Sequence, residues 1–335
     1  MQQQSNGAFK MPDTTPIIGF IGLGNVGGKL AGSLVRHGLD TRVFDLDSNA
    51  VDTLVKAGAS NSDSAATLAK DCDIVITCLP SPAISAKVME GEDGILEGMT
   101  PDTIWCEMST TDAAEVKRLA SRVEAKGAYA ADCPVSGGCH RAATGNIAIF
   151  AGCSRDVFDR LLPLLTVMGR RVLHTGELGS ASTLKVVTNY LATANLLSLC
   201  EAWATASACG MDLATTYEAI RVSSGNSFVH ETESQVILNG SRDINFTMEL
   251  VLKDIGLFQS LAERADVPLE INPLMISIMQ DGANKYGGQE WSPNIIRRLE
   301  EATGQSIIAE GFPASMTDDE PEAPGYEVYP RSVPT

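Results

Sequence analysis

The sequence predicts an α/β domain followed by an all-α domain, with one long helix between them. Three observations carry that reading. Short apolar runs alternate with amphipathic stretches through the first half, and a proline-free, weakly polar stretch runs from Leu178 to about Cys209. Helical periodicity alone follows it. The chain has 335 residues, enough for two separate cores.

Taken in order, Ile17 to Gly22 is an apolar run ending in glycines, followed by a helical pattern through Leu30, Leu34 and Val35 that stops at Gly38. Thr41 to Phe44 is the second strand, ended by Asp45, and a helix then runs through Lys56 to Gly58. Ile74 to Leu79 is a continuous apolar strand stopped by Pro80. Thr103 to Met108 is another, with a helix from about Ala113 to Lys126 behind it. Tyr129 to Asp132 and Ile147 to Ala151 complete the set. Uninterrupted apolar strands alternating with helices predict a parallel sheet covered on both faces. Beyond the long helix, helical patterns fall at Leu213–Val222, Asn245–Ala265, Pro273–Lys285 and Pro293–Ala302. Residues 1–16 are polar, lack an apolar signal core and read as a mobile leader. The domains are then expected at 17–178 and 179–304. The acidic, proline-containing tail 305–335 is expected to be disordered rather than an extended arm.

Composition excludes several functions. The formal net charge of −17 repels phosphates and argues against a nucleic-acid partner. No apolar run is long enough to predict a membrane span. The eight cysteines form no C-x-x-C pair, so they read as small buried hydrophobes in a reducing, cytoplasmic setting. Cys139 and His140 are adjacent soft ligands, which is too few for a metal site, and no metal is expected.

The motif with most chemical content is Gly22-Leu23-Gly24-Asn25-Val26-Gly27, a G-x-G-x-x-G directly after a strand and opening a helix. The first glycine permits the turn, the second lets the backbone approach a pyrophosphate, and the third lets helix and strand pack closely. Asp45 ends the second strand, where a carboxylate accepts hydrogen bonds from ribose hydroxyls and repels a 2′-phosphate. The first domain is therefore expected to be a Rossmann domain binding NAD in preference to NADP. Arg42 tempers that preference, but it lies inside the strand, before the carboxylate.

Three further clusters stand out. Asp132-Cys133-Pro134-Val135-Ser136-Gly137-Gly138 offers backbone N–H groups and a hydroxyl to an anion, or is simply a flexible turn. Lys185 and Asn189 are spaced i, i+4 on one face of the long helix, within an otherwise apolar stretch. Lys253 and Asp254 are neighbours on a helix and are expected to point in different directions.

Together these motifs resemble the β-hydroxyacid dehydrogenase family, over about residues 17 to 300. Gly19 to Gly27, GFIGLGNVG, is similar to the family's G-x-I-G-L-G-x-M-G opening. Asp132 to Gly138 is similar to D-x-P-V-S-G-G, GSASTLKVVTN at 179–189 to G-x-x-x-K-x-x-x-N, and the Lys253-Asp254 segment to K-D-L. The resemblance implies catalytic roles for Lys185, the acid/base, and for Asn189. It implies that Ser136, Gly137, Gly138 and Asn189 hold the substrate. It gives cofactor contacts to Asn25, Val26, Asp45, Leu79 with neighbouring Pro80, Thr110 and Lys253, beside Gly22, Gly24 and Gly27. Arg141, where many relatives have small or apolar residues, is a further candidate for an anionic substrate group. The implied activity is NAD-dependent interconversion of a small, anionic 3-hydroxy acid and its semialdehyde or keto form. Two readings compete: an imine reductase of the same architecture, and a non-catalytic dinucleotide-binding module. Both usually lack the lysine. The long helix is apolar nearly all round, which predicts a homodimer or a homotetramer built from dimers.

Overall fold

The computed structural model describes residues 16–331. The leader expected at 1–16 thus falls almost wholly outside the described residues.

The first domain winds as β1 (Ile18–Ile21), α1 (Gly27–Arg36), β2 (Thr41–Phe44), α2 (Ser48–Ala57), β3 (Ser60–Asn61), α3 (Ala65–Asp71), β4 (Ile74–Thr77), α4 (Pro82–Glu90), α5 (Ile95–Gly98), β5 (Ile104–Glu107), α6 (Ala113–Glu124) and β6 (Tyr129–Asp132). It continues through β7 (Val135–Ser136), α7 (Gly138–Ala143), β8 (Ile147–Gly152), α8 (Arg155–Met168) and β9 (Gly169–Gly176). The helical domain comprises α9 (Ser180–Ala208), α10 (Leu213–Arg221), α11 (Phe228–Asn239), α12 (Met248–Arg264) and α13 (Ile271–Tyr286). A 3₁₀ turn at Ser292–Ile296 then leads into α14 (Arg297–Thr303). Last comes β10 (Tyr326–Val328).

The sheet order is β10-β9-β8-β6-β5-β4-β1-β2-β3, with β7 paired to β8. The six strands from β6 to β3 are parallel, as expected. The sheet becomes mixed beyond them, because β8 runs antiparallel to β6 while β9 and β10 follow β8. All four residues are buried in each of β1, β4 and β5, as strands covered on both faces must be. Period-two alternation sorts their side chains. Ile74, Ile76, Ile104 and Cys106 pack towards α1 and α8, while Val75 and Trp105 pack towards α3 and α6. The direction of winding reverses about β1, whose parallel neighbours are β2 and β4, so a crevice opens at the carboxyl ends of β1 and β4.

Helix α9 has 29 residues and spans about 43 Å at 1.5 Å per residue. Its first turns pack on β8, β9 and α6, and the rest forms the spine of the second domain against α11, α12 and α14. The buried carboxylate of Asp132, at the end of β6, accepts hydrogen bonds from the N–H groups of Gly179 at 2.7 Å and Ser182 at 2.6 Å. Asp132 thereby ties the sheet to the start of this helix and satisfies two of its free donors.

The tail differs from expectation. Residues 305–331 form an ordered arm that leaves the helical domain, crosses to the first domain and adds β10 to the sheet edge beside β9. Ala309 N–H donates to Leu238 O at 2.9 Å, and Asp318 accepts from Asn146 Nδ2 at 2.7 Å. Glu320, Glu322 and Glu327 pair with Arg171, Arg36 and Arg155 at 3.3, 3.2 and 2.6 Å. The acidic residues read as a disorder signal are the ones that dock it.

Candidate active site

A cleft of about 960 Å³ lies over the crevice at β1 and β4 and extends between the two domains. Its floor is the glycine loop. Gly22 follows β1 with φ +94°, and a Cβ there would meet Cys78 O at 2.3 Å. Around Gly24 nothing among the described residues lies within 4 Å of the Cβ position, so the loop is open on the side where an approaching group would need backbone contact. Helix α1 begins here with no side-chain cap; Gly28 and Lys29 N–H already bond to Gly24 O and Val26 O, so what the helix start offers an anion is the positive end of its dipole. The residues present fit a dinucleotide pyrophosphate.

Asp45 stands at the end of β2 and lines the cleft. Its Oδ2 accepts from Leu23 N–H at 2.6 Å and its Oδ1 from Asp47 N–H at 2.8 Å, so the carboxylate also braces the glycine loop. Arg42 is committed elsewhere, in an ion pair with Asp71. The loops after β4 and β5 are locked together. Leu79 N–H donates to Ser109 Oγ at 2.7 Å, and Ser109 N–H donates to Glu107 Oε1 at 2.8 Å. Burial pushes the Glu107 carboxyl up, while its bonds with Ser109 oppose that rise.

Above the floor, Lys185 and Asn189 project from α9 one turn apart. Lys185 Nζ donates to Asn189 Oδ1 at 2.8 Å, and Asn189 Nδ2 donates to Asp254 Oδ2 on α12. Lys253 Nζ sits 2.9 Å from Asp254 Oδ1 and donates to Thr110 O at 2.9 Å, across the cleft. Neighbouring positions on α12 therefore do meet, contrary to expectation, because the four-carbon lysine stem folds back over the adjacent carboxylate. Burial lowers the Lys185 amine to about 8; Asp254 opposes this and Lys253 adds to it. A buried amine titrating near 8, held by an amide that a carboxylate holds in turn, can take or give a proton at an adjacent oxygen.

Two family models match consecutive stretches of the chain: the NAD binding domain of 6-phosphogluconate dehydrogenase over residues 17–176, and the NAD-binding domain of NADP-dependent 3-hydroxyisobutyrate dehydrogenase over residues 179–299. The chain is 33% identical over 291 residues to 2-(hydroxymethyl)glutarate dehydrogenase of Eubacterium barkeri, covering 87% of this chain and 97% of that one. It is 32% identical to 3-sulfolactaldehyde reductase of Escherichia coli K12, covering 82% and 93%. The solved structure of a 3-hydroxyisobutyrate dehydrogenase from Salmonella typhimurium superposes with a TM-score of 0.78 at 28% identity, covering 84% and 99%. The chain belongs to the β-hydroxyacid dehydrogenase family.

As a member of this dehydrogenase family it is an oxidoreductase that uses a nicotinamide dinucleotide. The structure brings most of the expected site residues of the family to one cleft. Gly22, Gly24, Asn25, Val26, Gly27, Asp45, Leu79, Pro80, Thr110 and Lys253 line it, together with Ser136, Gly137, Gly138, Lys185 and Asn189. Arg141 is the exception. It lies off the lining, with its guanidinium 4.9 Å over the Phe228 ring, so it covers a wall residue instead of pointing at the substrate space. Glu233 and Ser292 were not singled out from the sequence, and Asp254 was named only as the neighbour of Lys253 and given no role, yet all three line the cleft. The role of Asp254 was missed by treating Lys253 and Asp254 as divergent, and Glu233 by the absence of any helical stripe to mark α11. The dehydrogenase match ends at residue 299, so the arm lies beyond it.

Proposed function

We propose that this enzyme interconverts a small, anionic 3-hydroxy acid and its semialdehyde or keto form, with Lys185 as the proton carrier. The observation that supports the reading above all is the buried Lys185–Asn189–Asp254 chain facing the cleft. A bound nicotinamide supplies the hydride acceptor or donor. In oxidation the Lys185 Nζ takes the hydroxyl proton, and in reduction it returns one to the developing alkoxide. Asn189 orients the amine, while Asp254 and Lys253 set its charge balance from opposite sides. Ser136, Gly137 and Gly138 offer a hydroxyl and two backbone N–H groups for the substrate carboxylate.

NAD is the preferred cofactor in this reading. Support comes from Asp45 at the end of β2, where a carboxylate would face a ribose 2′-hydroxyl, and from Arg42, which is paired with Asp71. The enzyme acts as a homodimer or dimer-built tetramer, a reading supported by apolar residues on α9 and α13 that the other described residues leave uncovered. A cytoplasmic location fits its eight free cysteines. No helix is long and apolar enough to cross a membrane among the described residues.

The test is a panel of short 3-hydroxy acids assayed with NAD and with NADP at the nicotinamide absorbance band. Turnover of at least one member, with higher kcat/KM for NAD, is expected. Dinucleotide binding without turnover of any member would reject the substrate class, and equal use of NADP would remove Asp45 from the ribose.

A further inference from the structure

The cleft continues past the lysine into the helical domain. Its wall follows α9 from Lys185 through Asn189 to Leu196, about 16 Å of helix. Apolar residues dominate this inner end, among them Leu196, Val229, Phe246 and Val251. Polar side chains interrupt them, and two of these stand apart. Glu233 lies on α11, on the face it shares with Phe228, Val229 and Thr232. Ser292 opens the 3₁₀ turn packed against α11. Glu233 Oε2 and Ser292 Oγ are both shielded from solvent and have no hydrogen-bond partner among the described residues, while Glu233 as a whole is only half-buried in the cleft wall. Burial alone pushes the Glu233 carboxyl up to about 8, and no cation opposes it. The other two hydroxyls at this end are spent on their own helices, Thr232 on Phe228 O and Thr193 on Asn189 O, both as donors. Burying a carboxyl and a hydroxyl unpaired is costly, so groups left this way in a cleft wall mark a place where a ligand completes the bonding.

We propose that Glu233 and Ser292 form an inner subsite that takes a hydrogen-bond donor, an ammonium or a hydroxyl, on the side chain of the substrate. The inference rests on the 3-hydroxy acid reading and narrows it. Lys185 and Asn189 take the reacting hydroxyl and the Ser136 loop takes the carboxylate, which leaves the remaining substituent to reach inward. An ammonium arriving at Glu233 restores its ionised form and replaces the lost water. A second carboxylate meets a like charge, or must share the one proton Glu233 carries. The subsite therefore favours amino- or hydroxyl-bearing acids and disfavours dicarboxylic and sulfonated ones.

The experiment uses acids of the form HOCH₂–CH(R)–COO⁻, with R ending in ammonium, hydroxyl, methyl or carboxylate at matched chain lengths. The full-length enzyme is saturated with NAD and kcat/KM is read for each. The ammonium- and hydroxyl-ended acids are expected to exceed the carboxylate-ended one tenfold or more. In Glu233→Gln the ammonium advantage collapses and the carboxylate-ended acid gains, while the methyl-ended acid changes least. Ser292→Ala trims the hydroxyl-ended acid several-fold. Equal wild-type use of ammonium and carboxylate ends overturns the subsite. So does a uniform loss across all four acids in Glu233→Gln, which is the mark of a purely structural role. If none of the acids is oxidised, the 3-hydroxy acid reading fails on its own. Calorimetric titration of the NAD-loaded enzyme with the same acids then decides the subsite, and ammonium ends binding no tighter than carboxylate ends overturns it.

Discussion

At the residue scale the enzyme turns on one amine. Lys185 is buried, and its pKa of about 8 places its titration in the working range of a general acid/base. Lys185→Ala is expected to lower kcat by roughly 10²–10⁴-fold while leaving dinucleotide affinity, read by fluorescence titration, nearly unchanged. Oxidation needs the neutral amine, so its kcat/KM should rise as pH climbs through about 8. Reduction needs the ammonium and should fall over the same interval. Asp254 favours the charged lysine, so Asp254→Asn should move both midpoints down, by roughly one unit. A midpoint that stays put would mean that Asp254 only holds Asn189. The Lys185–Asn189 pair was legible in the sequence because i, i+4 spacing puts both on one helical face. The role of Asp254 was not, because its partners lie on another helix and on its own neighbour.

At the element scale the arm and α11 show what composition and periodicity miss. The arm is rich in acid and proline, yet Glu320, Glu322 and Glu327 each face an arginine more than a hundred residues away in sequence. Such pairs are individually weak at the surface, but the arm adds strand pairing and the buried Asn146, which donates to both Asp318 and Glu320. Deleting residues 305–335 is expected to lower Tm by several degrees and to expose β9 as a bare edge that promotes aggregation. The loss should shrink at high salt, where the ion pairs are already screened. An unchanged Tm at low salt would mean that the arm contributes nothing to the fold. Helix α11 went unread for a different reason. It buries residues on several sides, and His230, Thr232 and Ser234 are among them, so no apolar stripe forms. Their partners, such as Tyr217 O for His230 and Trp203 Nε1 for Ser234, come from other helices.

At the scale of the whole molecule the question is what covers the helical domain. Leu184 and Leu191, two turns apart on α9, are 40% and 53% exposed. Ile271 and Leu274, at the start of α13, are 57% and 61% exposed. Apolar positions at helical spacing that stay uncovered call for a partner surface, and a two-fold dimer is the commonest solution. Light scattering at micromolar concentration is expected to give a dimer or tetramer mass. Leu184→Glu together with Leu191→Glu should shift it towards monomer. A wild-type monomer that is stable and active would remove the assembly proposal and leave the hydride-transfer chemistry untouched.

The sequence by itself determined the strand–helix alternation, the glycine loop and its carboxylate, the long helix and the lysine on it. These are local patterns, in which spacing along one element decides which side chains share a face. Tertiary structure alone decided the antiparallel turn of the sheet at β8, the docking of the arm, the displacement of Arg141 from the cleft and the meeting of Asp254 with Asn189. Each depends on pairing between segments far apart in the chain. The interaction energy there belongs to both partners at once, so neither segment carries the signal alone.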